Sequence, residues 1–485
     1  MPVRAGQILR VRPIWIAPLV LGSVVLAAMT ALYIGAVVDP LAHLHGLPVA
    51  VVNEDLGATV GPHHLNVGQQ IEAGLVTSPA VSGRLHLEVK TLHQAEQAMS
   101  RDALYATVVI PANLTSSLLY VAGLGGSSTS AASAPQVEIM INERAGTVGT
   151  SLATGILQPA LGVASRRIGA HLATLVPASS LTGATKVLLA DPITVMITQY
   201  LPLPANSALG LSAFYIALLT LMCGFFGATI VNSVVDSALG YATNEVGPRW
   251  HQRQPVPINR WQTLQIKWAI VVVLTAVLTA VVLAIAAGGL GMDTPYPALL
   301  WLYTWLCAAS VGIGTIALFA AAGTYGQLIG LLLFVYAGLA SAGGTVPIEA
   351  LPGLLRFLSY FEPLRQVLAG TRSILYFGAR ADAGLVRGTL EAAGGLLFWL
   401  VLGTAVVTWY DRRGLYRVQP DLLAYVNKSV EGYKKRPTGA EPAGAEPAEQ
   451  QQTESPPTDK DPGQPEGGRN DGPPGTDRPP PPPDG

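Results

Sequence analysis

Seven of the eight histidines fall between positions 43 and 171. His43-x-His45 and His63-His64 place imidazoles at spacings a zinc site can use. No cysteine or carboxylate recurs beside them at ligand spacing, so they read as exposed loop histidines and no metal is expected. The chain contains no G-x-x-x-x-G-K-[ST], HExxH, CxxC or GxSxG pattern. The first absence removes the backbone cradle for ATP phosphates, and the others remove zinc-hydrolase, dithiol and serine-hydrolase chemistry. The expectation is therefore a non-enzyme with no cofactor, and any ATP that drives it must be hydrolysed by a separate subunit. Cys223 and Cys307 lie in different apolar stretches and read as small buried hydrophobes. The 39–205 block contains no cysteine, so it cannot be a disulfide scaffold. Asn113-Leu114-Thr115 fits the glycosylation sequon, but it sits where a helix begins and reads equally as a cap.

Charged and aromatic residues concentrate in a loop that runs Asp236–Gln265, with Glu245, Arg249, Trp250, His251, Arg253 and Arg260. Two readings stay open at this level. One is a docking surface for a cytoplasmic partner, with Glu245, Arg249, Trp250, Arg253 and Arg260 as its contacts. The other is a solvated loop whose arginines hold topology.

These residues need a frame, and hydropathy supplies it. Half the residues are hydrophobic and 12% are charged, about half the charged share of a soluble domain. Crossing the hydrocarbon takes about 20 predominantly apolar residues. Six windows qualify: 14–38, 207–233, 266–290, 298–322, 324–343 and 388–410, the fifth being short and glycine-rich. The first is too long for a secretory signal and reads as a retained anchor. Arg4, Arg10 and Arg12 precede the first span, Arg249, Arg253, Arg260 and Lys267 follow the second, and Arg412, Arg413 and Arg417 follow the last. With six spans all three clusters fall on one side, which positive residues mark as cytoplasmic. The 344–387 segment opposes this, because Arg356, Arg365, Arg372, Arg380 and Arg387 then lie outside. Removing a span would rescue it only by exporting Arg412 and Arg413. Lys267 and Glu391 sit near span ends, where side chains reach the interface. The spans otherwise carry almost no charge, which argues against an ion-coupled carrier.

The fold class expected is an α-helical polytopic membrane protein of six spans, with an α/β extracytoplasmic domain inserted after the first. The expected divisions are a cytoplasmic N-terminus (1–13), the first span (14–38), the α/β domain (39–205), five further spans (206–410), a cytoplasmic juxtamembrane segment (411–436) and a disordered proline-rich tail (437–485). Both termini are placed in the cytoplasm of a plasma-membrane protein. Within the inserted block, short apolar or alternating runs at Leu47–Asn53, Arg84–Lys90, Tyr105–Ile110, Gln136–Asn142 and Pro192–Gln199 predict strands. Stretches at Val67–Leu75, Leu92–Asp102, Pro111–Tyr120 and Thr147–Leu175 predict helices, and 123–135 a flexible linker. Alternation of the two predicts a helix-covered sheet.

Pro347, Pro352 and Pro363 break 345–378 into two short helices. Leu354, Leu355, Leu358 and Phe361 would line the apolar face of the first, and Leu364, Val367, Leu368 and Leu375 that of the second. Such helices lie in an interface or re-enter the bilayer. The three prolines and Arg372 are outer-gate candidates, the alternative being a packed cap. Gly323, Gly326 and Gly330 form a small-residue stripe that permits close helix contact.

Several of these segments resemble a known family. VAVVNEDLGA (49–58), following a first span, resembles the opening of YhgE/Pip-type membrane proteins, with Asn53, Glu54 and Asp55 matching the motif. LYATVVIPANLTSSLL (104–119) is similar to a segment of the same outer domain, and 345–378 looks like the last outer loop of type-2 ABC exporter permeases. The resemblance covers residues 10–420. It implies a permease subunit in a homodimer or heterodimer, working in the lipid bilayer with a separate ABC ATPase and without nucleic acid. The cargo implied by uncharged spans is amphiphilic. The inserted block lacks the coiled-coil extension of the longest members, which weakens any carry-over of their phage-receptor or type VII secretion roles. The alternative function is a non-transporting receptor or scaffold of an envelope or secretion complex. Asn53, Glu54 and Asp55 read physically as a strand-ending turn whose side chains bond the backbone.

Overall fold

The computed structural model describes residues 12–60, 63–124, 135–176, 183–242, 244–246, 249–251, 253, 255–256, 258–415 and 428. Most of the expected N-terminal segment, the linker at 125–134 and the tail lie outside the described residues. The chain divides into units Met1–Asn427 and Lys428–Gly485, and the first holds the sheet and every long helix.

A 26-residue helix, α1 (Arg12–Val37), leads into the α/β region. There the order is β1 (Leu47–Asn53), α2 (Val67–Thr77), β2 (Leu85–Val89), α3 (Leu92–Met99), β3 (Ala106–Ile110), α4 (Leu114–Val121), β4 (Gln136–Ile141), α5 (Thr147–Leu175), α6 (Gly183–Ala190) and β5 (Thr194–Gln199). The sheet runs β2-β1-β3-β4-β5. Its pairs are parallel except β3 with β4, where Val108 faces Ile139 in antiparallel register. β1 and β3 are almost wholly buried, which is why they read as continuous apolar runs rather than alternating ones. α3 covers one face through Ala95 and Met99 against Ala50 and Val52. α2, α4 and α5 cover the other through Ile71, Leu118 and Leu157.

The rest is helical: α7 (Ser212–Ala238), α8 (Arg260–Leu283, continuing as a π-helix to Gly289), α9 (Pro297–Ala322), α10 (Tyr325–Ser341), α11 (Gly353–Leu358), α12 (Pro363–Tyr376) and α13 (Leu385–Arg412). Among the described residues five helices, α1, α7, α8, α9 and α13, are long and apolar enough to cross a membrane. This is a membrane protein. The fifth expected window is α10, a shorter apolar helix of residues 325–341 with a π-helical stretch over Leu331–Ala337. α7 and α9 form the centre of the bundle, with 56% and 61% of their apolar windows buried, whereas α8, α13 and α1 bury 17%, 11% and 6% and turn their side chains outward. Apolar side chains such as Val273, Leu397 and Leu26 are exposed on these outer helices, as a hydrocarbon-facing surface requires.

Close backbone approach joins the central helices. A β-carbon on Gly224 of α7 would lie 2.5 Å from the Ala308 carbonyl of α9, and one on Gly312 of α9 would lie 2.5 Å from Val271 of α8. Gly326 of α10 sits against the Leu318 backbone of α9, and Gly330 against Phe225 of α7. The glycine stripe of α10 therefore makes its contact inside the chain.

The α/β region and the bundle share a core. Val346, Ala350, Leu351 and Leu355, between α10 and α12, belong to the same buried cluster as Val49, Val108 and Leu157. Arg144 reinforces the joint, donating to the Tyr376 carbonyl at 2.6 Å and the Pro202 carbonyl at 2.7 Å.

Candidate functional site

A cleft of about 840 Å³ opens at the end of the bundle remote from the sheet. It lies between the end of α7, the start of α8, the end of α9, the start of α10 and the end of α13. Its floor is an ion pair. Lys267 Nζ lies 2.7 Å from Asp236 Oδ1 and 2.7 Å from Asn232 Oδ1. Lys267 is 6% exposed and Asp236 9%.

Local sequence explains this convergence. α8 opens with a capping box: Asn259 Oδ1 accepts from the Gln262 amide at 2.7 Å, and Gln262 Oε1 accepts from the Asn259 amide. That start puts Thr263, Leu264, Lys267 and Val271 on one buried face, at the spacing of a helical stripe. On α7, Asn232 and Asp236 are one turn apart and present both oxygens to the same lysine. Leu264, Ile316, Phe319 and Val407 supply apolar walls. Arg260 stands at the rim, donating to the Leu415 carbonyl at 2.8 Å, with its guanidinium 5.2 Å from the Tyr410 ring centre. Tyr410 donates to the Ala321 carbonyl at 2.6 Å, and Tyr241 to the Val256 carbonyl at 2.9 Å.

Two sequence expectations change here. Lys267 does not reach outward to the interface. It is buried against Asp236, which the apolar pattern left outside the second span because the hydrophobic run stops at Val235. The spans are consequently not charge-free at this end, and missing charge no longer speaks against an ion-coupled carrier. Glu391 does lie half-exposed, paired with Arg387 at 3.1 Å.

Of the proposed docking residues, the structure brings Glu245 and Trp250 opposite each other, and Val246 opposite Arg249, in the short antiparallel hairpin of Asn244–Val246 and Arg249–His251. Arg253 is exposed and Arg260 lines the cleft. Tyr241, Ala242 and Arg260, toward the two ends of the loop, line the cleft.

The family-motif residues form a separate network. Asp55 Oδ2 accepts from Thr115 Oγ1 at 2.5 Å and from the Gly68 amide at 2.9 Å, and Oδ1 accepts from the Thr115 amide at 3.1 Å. One buried carboxylate thereby caps both α2 and α4, where helix-end amides favour negative charge. Asn53 Oδ1 accepts from the Asp55 amide at 3.1 Å, and Asn53 Nδ2 donates to Glu72. Glu54 is exposed.

The gate candidates each start a turn. Pro347 precedes the 3₁₀ turn Ile348–Ala350, Pro352 precedes α11, and Pro363 is the first residue of α12. Leu364, Val367, Leu368 and Leu375 are buried. Leu354 and Phe361 are 68% and 72% exposed, so the apolar face expected on the first helix is split, with Leu355 buried and Leu358 packed against the same core. The arginines that opposed the topology rule are engaged locally. Arg356 donates to the Glu349 carbonyl at 2.6 Å, Arg365 to Ser359 Oγ at 3.0 Å and Arg372 to the Gly343 carbonyl at 3.4 Å, while Arg380 meets Asp382.

A family model described as a protein of unknown function, DUF3533, matches residues 17–404. The chain belongs to the DUF3533 family. No curated protein matches it. One solved structure, a crystal structure of a domain of a protein described as an ABC type-2 transporter from Thermotoga maritima MSB8, matches this DUF3533 chain at 20% identity. The match covers 32% of this chain and 85% of that one, with a TM-score of 0.22, a likeness too low to carry an argument about fold or function.

Proposed function

We propose that this DUF3533 protein is the membrane permease subunit of an ABC-type exporter. A separate ATPase docks on the 236–265 loop and the N-terminal segment, and two permease copies pair. In this reading the protein is multi-pass in the plasma membrane, with the cleft and both termini facing the cytoplasm. The observation that carries it is a one-sided cleft. It is open at the loop end, and toward the sheet the bundle is filled by Phe225, Tyr303, Leu364 and Val367. A cleft with a charged floor and apolar walls, backed by packed side chains, suits a transporter held open to one side. The same mixed lining supports an amphiphilic cargo, taken up with its polar end at Lys267 and Asp236. The chain has no phosphate-cradling motif, so power comes from the docked subunit.

Co-purification and efflux test this. Replacing Arg249, Arg253 and Arg260 together by Ala should abolish co-purification of an ATPase and drop cargo efflux to that of a deletion strain. Unchanged ATPase binding in the triple variant would refute the docking surface. Solute movement by the reconstituted chain alone, driven by an ion gradient, would refute the ABC reading. Intact envelope function in a variant with a blocked cleft would favour the scaffold instead.

A further inference from the structure

α12 runs into the bundle with its N-terminus leading. Its far end is tied to the start of α7, where Tyr376 Oη lies 2.7 Å from Ser212 Oγ and 3.1 Å from the Ala213 amide nitrogen. At its leading end Glu362 and Leu364 lie beside Gly338 of α10, which Leu221 of α7 also approaches. Leu221 is nine residues beyond Ser212, so Glu362 sits ~14 Å along the bundle at 1.5 Å per residue.

Glu362 is 3% exposed, and its Oε2 has no hydrogen-bond partner among the described residues. One turn later Gln366 is 4% exposed, and neither its amide nitrogen nor its amide oxygen has one. Gly338 makes the room: a β-carbon there would lie 3.1 Å from Glu362 Oε2, 3.3 Å from Leu364 and 3.8 Å from Leu221. The packed elements bring no compensating charge. On α12, Arg365 turns to Ser359 and the Tyr360 ring, Arg372 to the Gly343 carbonyl and Tyr376 to Ser212. On α10 the titratable residues are Tyr325, which is exposed, and Tyr336, which meets the Tyr33 ring. On α7 they are Tyr215, which is exposed, Cys223, and Asp236, which is paired with Lys267 near the other end. On α9 they are Tyr303, which donates to the Gln366 carbonyl at 2.7 Å, and Cys307, and on α13 they are Arg387 and Glu391, which pair with each other, and Tyr410, Asp411 and Arg412 at its far end.

We propose that Glu362 is a proton-binding site: the neutral acid seats the leading end of α12 against Gly338, and ionisation releases it. A carboxylate there would be a buried charge with no partner, whereas a protonated acid is merely a buried polar group. Burial alone pushes the carboxyl up from its ordinary 4.5 to about 8. Linkage sets the sign. Between those two values the seated form holds a proton that a solvated carboxyl would have lost, so seating weakens as pH rises and levels off above about 8. This role does not require the chain to be a permease.

Amide exchange of residues 363–376, measured on the full chain in lipid nanodiscs for wild type and Glu362→Gln at matched pH, tests it. Dividing the two rates cancels the intrinsic pH dependence of exchange. The ratio should climb by up to about tenfold per pH unit from mildly acidic pH and flatten above pH 8. The wild type should also lose protonated-carboxyl infrared absorbance on an alkaline pH jump, and Glu362→Gln should lose less of it, the remainder coming from the other carboxyls that burial raises, Asp102 and Glu349. A flat ratio, or an infrared loss in Glu362→Gln equal to that of the wild type, overturns the proposal. So does failure of Glu362→Gln to fold, since the amide has the neutral acid's shape. Gln366→Leu, which keeps the carboxyl, should retain the slope, and its disappearance there would also overturn the assignment.

Discussion

Lys267 and Asp236 show how much one buried charge depends on its partner. Removing either member of a buried pair strands the other, at about 3–5 kcal/mol, while replacing both by apolar residues of similar volume is often neutral. Lys267→Met should therefore lower stability by about 3–5 kcal/mol, and Lys267→Met with Asp236→Leu should recover most of it, as read by thermal unfolding in detergent. If the pair also receives cargo, the double variant will be stable yet inactive, which separates its two roles. Asp55 is the contrasting case. Its carboxylate is consumed by the two helix starts it caps, which leaves it a structural part of the NED motif. The Asx-type turn is legible in the sequence because it is local. Its second partner, Thr115, lies 60 residues away and is not.

At the scale of elements, the bundle is organised by where backbones touch. α7, α8 and α9 meet at Gly224 and Gly312, where a β-carbon has no room. Gly224→Ala should push α7 from α9 and cost about 1–3 kcal/mol, with a matching fall in the unfolding midpoint. Gly394→Ala on α13, where nothing lies within 4 Å, should be neutral or slightly stabilising because alanine is the better helix former. Equal effects at the two positions would argue against backbone contact as the organising feature. The strands and helices of the α/β region are readable because their apolar runs and periods are local. α10 is the least legible, since glycine content hides a helix whose stability comes from the neighbours its glycines approach.

At the scale of the molecule, the α/β region and the bundle share one buried core through the 343–358 segment. Leu355 is 4% exposed within the core that also holds Val49 and Leu157. Leu355→Ala should cost about 2–5 kcal/mol, and amides of β1, roughly 300 positions earlier in the chain, should exchange faster. Faster exchange confined to α11 and α12 would show the two parts to be independent. This coupling gives a physical route by which a change at the cleft reaches the sheet: α12 touches α7, α9 and α13 on one side and is tied to Arg144 on the other.

Hydropathy and period alone determined that this chain carries several helices long and apolar enough to cross a membrane, where its apolar windows lie, and that a sheet with helices follows the first, since apolar runs and strand alternation leave marks on consecutive residues. The tertiary structure alone decided which charges are buried and which are satisfied. Lys267 meets Asp236 across two helices, the arginines of 344–387 find carbonyl oxygens and partners of their own, and Glu362 finds neither. Each outcome depends on the meeting of side chains far apart in the chain, and no local pattern encodes that.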